Sequence, residues 1–294
     1  MKLATFTHLE HTRIGIVRDD SVIDLGAVAP GLPTDMQALL AAGPEALEHA
    51  VRMADRVSDR ETLPLSEVRL RAPVPVPGKV LAIGLNYLDH VREFGREPPE
   101  HQIWFNKQHN AVNGPFDPIN RPAVSDALDY EGELCFVIGR RCKHVPPERA
   151  HEVIAGYCAG NDVSVRDWQM RTPTMVMGKS FDTHAPLGPY LVTADEIDDP
   201  QELMIRTWVN GELRQECSTG EMAFGCREQI AHLTQAFTLD PGDVIFTGTP
   251  KGVGAGFDPP RYLTVGDRVR VQVEGVGTIE NEVVAEHAET VIGP

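Results

Sequence analysis

The segment DYEGELCFVIGR, residues 129–140, sets two glutamates inside an apolar run. A β-strand alternates its side chains between two faces, so Glu131, Glu133, Cys135 and Val137 share one face while Tyr130, Leu134, Phe136 and Ile138 share the other. Two carboxylates aimed into one enclosed space repel each other and need a cation, whereas on an exposed edge they need nothing. A third acid, Asp162, follows the small-residue stretch AGYCAGN at the C-terminal end of a predicted strand. If Glu131, Glu133 and Asp162 converge, they form an all-oxygen set suited to Mg²⁺, Mn²⁺ or Ca²⁺ and not to zinc, with coordination positions left for water and substrate. Unrelated surface acids are the alternative in a chain this acidic.

Three further groups carry chemistry. His90 and Glu93 in GLNYLDHVREFG, residues 84–95, are three apart on a short predicted helix that starts near Asn86 and stops at Gly95. A histidine held by a carboxylate is an oriented general base, although an exposed helix carries the same pair without function. Lys179 sits in the loop GKSFDTHAPLGP, where it is either a functional cation or a solvated lysine. In DVIFTGTPKGVG, residues 243–254, an apolar strand runs into glycines, and Gly248 with Thr249 offers N–H groups and a hydroxyl to an anion. This is neither a Walker loop nor a dinucleotide fingerprint, so nucleotide binding is not expected.

These groups need a scaffold. KLATFT, RIGIVR and SVIDL read as short strands, and MQALLAAGPEALEHAVRMADRV as helix interrupted by Gly43-Pro44. RAPVPVPGK punctuates the chain at 71–79, which suggests a small N-terminal unit over 1–72 and a larger catalytic domain over 73–294. Beyond that boundary Asn210-Gly211 marks one hairpin and DRVRVQVEGVGTIENEVVAE another. Strand–helix–strand repeats are missing, which favours an α+β class over a doubly wound sheet.

The formal charge of −16 repels phosphate backbones, so nucleic acid is not an expected partner, and an anionic ligand would need locally placed cations or a metal. No segment has the uncharged apolar length of a membrane span, and none is expected. Five cysteines without a C-x-x-C pair read as small buried hydrophobes. The N-terminal MKLATFTHLEHTR lacks an apolar signal core, from which a cytoplasmic location is expected.

Taken in order, AIGLNYLDHVREFG, DYEGELCFVIGR, GYCAGNDVSVRDWQ, GKSFDTHAPLGP, NGELRQECSTGEM and PGDVIFTGTPKGVG resemble the fumarylacetoacetate hydrolase superfamily over residues 79 to about 285. The resemblance implies a mixed β-sheet roll with peripheral helices, a small N-terminal α+β unit and a homodimer. It implies that Glu131, Glu133 and Asp162 bind Mg²⁺ or Mn²⁺, with Ca²⁺ as a substitute, and that His90 and Glu93 form a water-activating dyad. Lys179 becomes the cation beside the metal, and Tyr87, Arg166, Gln169, Gly248 and Thr249 become substrate contacts. Gln108 stands where many members have proline, so Lys107 is not counted among the contacts. The segment EFGREPPEHQ corresponds to the part of the family that sets substrate fit.

The expected substrate is a small oxo acid. The reaction favoured by these residues is hydrolysis of a C–C bond in an acylpyruvate or 1,3-diketo acid through an enolate stabilised by the ion, with His90 activating water. The alternative in the same site is isomerisation or decarboxylation of an oxo-dioic acid, such as 5-carboxymethyl-2-hydroxymuconate or oxaloacetate. A non-catalytic metal-binding dimer is the rival from another class; it has no use for His90, Glu93 and Lys179.

Overall fold

The strand Gly132–Ile138 carries apolar side chains on both faces, and both faces are covered. Leu134, Phe136 and Ile138 enter one buried cluster, together with Ile205, Val269, Val271 and Ile279. Cys135 and Val137 enter another, with Leu3, Leu39, Leu187 and Phe246. A strand buried on both sides is a central strand, and each large apolar side chain it removes from water contributes roughly 1.5–3 kcal/mol. The computed structural model describes residues 1–58 and 61–293.

The architecture is α+β. The main sheet runs in the spatial order Ser21–Asp24, His11–Arg18, Lys2–His8, Ala185–Thr193, Ile154–Asn161, Gly132–Ile138, Val244–Phe246, Val80–Gly84 and Ile103–Lys107. Most neighbours are antiparallel, but Val244–Phe246 lies parallel to Val80–Gly84, so the sheet is mixed. A five-stranded sheet, Glu212–Ser218, Met204–Val209, Arg268–Val273, Gly277–Ala285 and Ile119–Arg121, packs through Ile205, Val269, Val271 and Ile279 against the Leu134 face. The N-terminal strands are hydrogen-bonded into the main sheet, with Lys2 opposite Val192 and Leu3 opposite Leu191.

The turns follow from their residues. Asn210 and Gly211 have φ of 51° and 82°, the pair of positive values that a two-residue hairpin loop between Val209 and Glu212 requires. Gly43, at φ 84°, followed by Pro44 separates the helix Met36–Ala41 from the helix Pro44–Ala54. Asp35 caps the first of these by accepting the Ala38 N–H at 2.8 Å. Among the described residues no helix is long and apolar enough to cross a membrane. All five cysteines are free, and all but the half-buried Cys217 are buried.

Candidate active site

Register brings the acids together. Gly132 pairs with Asn161 across the antiparallel strands, which sets Glu131 beside Asp162, and the Asp162 N–H donates to the Glu131 carbonyl at 2.8 Å. Glu133 lies two residues further along the same face. Glu131, Glu133 and Asp162 thus each offer a carboxylate oxygen, all within 4.8 Å of one another, and all three residues are buried.

Two of the three have cations of their own. Lys179, itself buried, donates to Glu131 Oε2 at 2.6 Å and to Asp162 Oδ2 at 2.7 Å. Arg166 Nη1 reaches Glu131 Oε1 at 2.6 Å, and its Nε reaches Asp129 Oδ2 at 2.8 Å. Burial pushes the Glu131 carboxyl up, but Lys179 and Arg166 outweigh it and hold the group well below the usual carboxylate range. Glu133 has no such partner; it accepts one backbone N–H, that of Gly248, at 2.7 Å. Burial, then repulsion from Asp162 and Glu131, pushes its carboxyl well above the ordinary value. Among the described residues Asp129, Glu131 and Asp162 pair with Lys107, Lys179 and Arg166, and Glu133 is the acid of this group without an ion-pair partner, so its ionised form is the one left uncompensated. A divalent cation is the partner this donor set lacks.

Lys107 belongs to this cluster, although Gln108 follows it in place of proline. Its Nζ lies 2.5 Å from Asp162 Oδ1 and 3.2 Å from the Val163 carbonyl, with the side chain fully buried. The strand Ile103–Lys107 aims Phe105 and Lys107 inward by alternation, and this does not depend on whether the next residue is proline. The alternation in IWFNK was the available signal. Burial pulls the Lys107 ammonium below its ordinary range, with Asp162 acting against that pull.

His90 and Glu93 meet as their spacing predicts. The helix Leu88–Glu93 starts after Tyr87, slightly later than expected, and puts His90 Nδ1 2.9 Å from Glu93 Oε2. The other oxygen of Glu93 accepts the Gly252 N–H at 2.8 Å. His90 is buried, packs edge-on against Phe94 and lies close enough to Glu131 to help lower its pKa. Asn86 anchors the approach to this helix. Its amide donates to the carbonyls of Thr247 and Phe224, and its oxygen accepts the Phe224 N–H.

The glycine loop acts as a strap for acids. The Gly248 N–H goes to Glu133, that of Gly252 to Glu93, and those of Gly254 and Ala255 to Asp129 at 2.7 and 2.9 Å. The expected anion nest is therefore filled by the chain's own carboxylates. Thr249 likewise donates its hydroxyl to the Gly132 carbonyl and accepts from Gln215, though it still lines the cavity. Asp129, which composition did not single out, joins this loop to Arg166.

Tyr87 is also corrected: it is fully buried in the core cluster and does not line the cavity. Burial in that cluster drives its hydroxyl pKa far up. Arg166 and Gln169 do line the cavity. Gln169 Oε1 accepts from Arg166 Nη1 at 3.0 Å, while Arg166 Nη2 is buried without a partner. The cavity holds about 690 Å³, with Glu131, Glu133 and Lys179 in its wall beside His90, and Phe94, Phe105 and Met170 among its apolar lining.

Residues 79–284 match the family described as Fumarylacetoacetate (FAA) hydrolase C-terminal. The chain belongs to this family. It is 44% identical over 276 residues to the mitochondrial oxaloacetate tautomerase of Xenopus laevis, covering 92% of this chain and 86% of that protein. A mitochondrial oxaloacetate tautomerase of Homo sapiens is 41% identical over 97% of this chain and 92% of its own length. Among solved structures, the maleylpyruvate hydrolase of Sphingobium, in complex with manganese(II) and pyruvate, superposes with a TM-score of 0.82. It is 34% identical, and the match covers 97% of this chain and 99% of that one. The 5-carboxymethyl-2-hydroxymuconate delta-isomerase of Mycobacterium smegmatis gives 0.79 at 35% identity, with 97% and 100% covered.

This family of hydrolases, isomerases and tautomerases makes the protein an enzyme. The cytoplasmic expectation is overturned, since these curated relatives are named as mitochondrial proteins. The composition of thirteen N-terminal residues was too thin a basis for a compartment.

Proposed function

We infer that the protein is a divalent-metal-dependent tautomerase or isomerase of a small oxo-dicarboxylic acid of the oxaloacetate type, acting at the Glu131–Glu133–Asp162 cluster. The observation that carries this reading is the placement of an oriented base, His90, on the wall of a cavity that is also lined by Glu131 and Glu133, two members of the buried carboxylate trio. The names of the curated relatives, both oxaloacetate tautomerases, and of the delta-isomerase support this reaction over the C–C hydrolysis expected from the sequence, which the name of the maleylpyruvate hydrolase carries.

Glu131, Glu133 and Asp162 would hold the ion, with Mg²⁺ or Mn²⁺ as candidates from the all-oxygen donor set. When bound, such an ion supplies Lewis-acid polarisation of the substrate's 2-oxo group. The remaining steps belong to the chain. Glu93 accepts the Nδ1 proton of His90 and so leaves the Nε2 lone pair as the base. Nε2 takes the proton from the carbon next to the oxo group, the electron pair becomes a C=C bond, and the same proton is returned from Nε2 to the oxo oxygen, leaving His90 neutral; ketonisation reverses these steps. Lys179 spends two N–H groups on Glu131 and Asp162, and the third is available to the oxygen on which negative charge grows. The unpartnered Nη2 of Arg166 is a donor for the carboxylate next to the oxo group.

Enol-to-keto conversion of oxaloacetate, followed by the loss of enol absorbance with and without divalent ion, tests the reading. Metal-dependent acceleration supports it. Release of pyruvate from an acylpyruvate at a higher rate than tautomerisation would replace it with the hydrolytic reading.

A further inference from the structure

The chain carries a net charge of −16, yet the charged residues that line the cavity away from the acid cluster are cations. Glu131 and Glu133 are its only lining acids among the described residues. Apart from Lys179 and Arg166, which pair with the cluster, the charged lining residues are Arg96 and Arg171, both exposed.

Their partners differ. Arg171 stacks on the Trp168 ring at 4.0 Å, and its Nη2 is 3.5 Å from Asp167. Arg96 has no side-chain hydrogen bond or ion pair among the described residues. Its backbone, by contrast, is fixed. The helix that carries His90 and Glu93 ends with Gly95 at φ 61°; the Gly95 N–H donates to the Arg92 carbonyl at 2.9 Å and the Arg96 N–H to the Val91 carbonyl at 3.1 Å. The left-handed φ of this helix-closing turn favours glycine at Gly95, and the turn places Arg96 beside Phe94 on the cavity wall. An unpaired guanidinium held at the mouth of an otherwise acidic protein attracts a carboxylate and binds it in a forked geometry.

We propose that Arg96, assisted by Arg171, binds the second carboxylate of the substrate and so selects dicarboxylic over monocarboxylic oxo acids. The proposal deepens the tautomerase reading and rests on its choice of oxo acid as ligand. The first carboxylate and the oxo group go to the inner site, while the far carboxylate reaches the guanidinium at the rim. The cavity is roomy for a four-carbon acid, so Arg96 also accommodates somewhat longer diacids through its flexible stem.

Calorimetry on the Mn²⁺-loaded protein separates this proposal from the catalytic one, because it reads binding without turnover. The probes are 2-oxoglutarate and 2-oxobutyrate, which differ by a terminal carboxylate. The wild type is expected to bind the diacid at least about tenfold more tightly, which corresponds to about 1.4 kcal/mol. Arg96→Gln should collapse that ratio by weakening only the diacid, Arg96→Lys should restore part of it, and Arg171→Gln should have a smaller effect. Equal wild-type affinities, or a ratio unchanged in Arg96→Gln, would overturn the proposal even if oxaloacetate is tautomerised. Conversely, a ratio that behaves as described in a protein without tautomerase activity would uphold the anchor and remove the reaction.

Discussion

Glu93 and Gly252 are joined by a 2.8 Å hydrogen bond that ties the base-bearing helix to the glycine loop. The carboxylate that orients His90 is therefore itself oriented by backbone, and three other N–H groups of the same loop hold Glu133 and Asp129. The loop thus hydrogen-bonds to the carboxylate cluster, to the His90–Glu93 pair and, through Asp129, to Arg166.

Breaking the dyad should suppress proton transfer while leaving the acids in place. His90→Ala is expected to lower kcat by roughly 10²–10⁴-fold, and Glu93→Gln by less, since the glutamine still reaches Nδ1. Calorimetric Mn²⁺ affinity should stay within a few-fold of wild type in both. Unchanged turnover in His90→Ala would remove the base from the mechanism.

Gly256 lies against the Glu93 carboxylate, where an added Cβ would collide with its Oε1 and carboxyl carbon. Gly256→Ala should therefore displace Glu93 from His90, lowering kcat with little loss of thermal stability, because the atom that must move is the end of a side chain. Steady-state kinetics with a parallel melting curve checks this. A variant that melts early with normal kcat per folded molecule would contradict it.

Lys179→Met should lower kcat more than metal affinity. Lys179 bridges Glu131 and Asp162, and the carboxylates it leaves behind gain net negative charge, which favours the ion. A loss confined to metal binding would show that Lys179 only builds the site.

His184 supplies a pH dependence away from the chemistry. It is fully buried, its Nε2 donates to the Asn120 carbonyl at 2.8 Å, and burial pushes its pKa down to about 3 from 6.5. A depressed folded-state value means that the unfolded chain binds the proton first. The stabilising contribution is complete above pH 6.5 and is lost as pH falls from there toward 3, by up to about 1.4 kcal/mol per pH unit. Urea unfolding between pH 7.5 and 4.5 should show this slope, and His184→Gln should flatten it whatever its effect on absolute stability.

Local features were legible because short-range physics sets them: the alternation in DYEGELCFVIGR, the Gly43-Pro44 break, the Asn210-Gly211 hairpin and the three-residue spacing of His90 and Glu93. Convergence of Glu131 and Glu133 with Asp162 was legible only as a possibility, since it depends on the Gly132–Asn161 register. Tyr87 is buried in the core with no partner for its hydroxyl, whereas the Gly248-Thr249 turn lies at the site with its polar groups already engaged. A polar group near a site can be spent on the protein itself, and its partners come from distant parts of the chain: Glu133 for Gly248, Gln215 for Thr249. Asp129 and Lys107 were missed because their roles are defined by loops and strands that meet only after folding.

The most direct test of the central claim is the divalent-ion dependence of oxaloacetate enol-to-keto conversion by the wild type and Glu133→Ala. The expected result is an acceleration that disappears with chelator, returns with Mg²⁺ or Mn²⁺, and is absent in Glu133→Ala, whose fold is retained and whose calorimetric ion site is lost. Full tautomerase activity in chelator, or in a Glu133→Ala protein that no longer binds the ion, would contradict it.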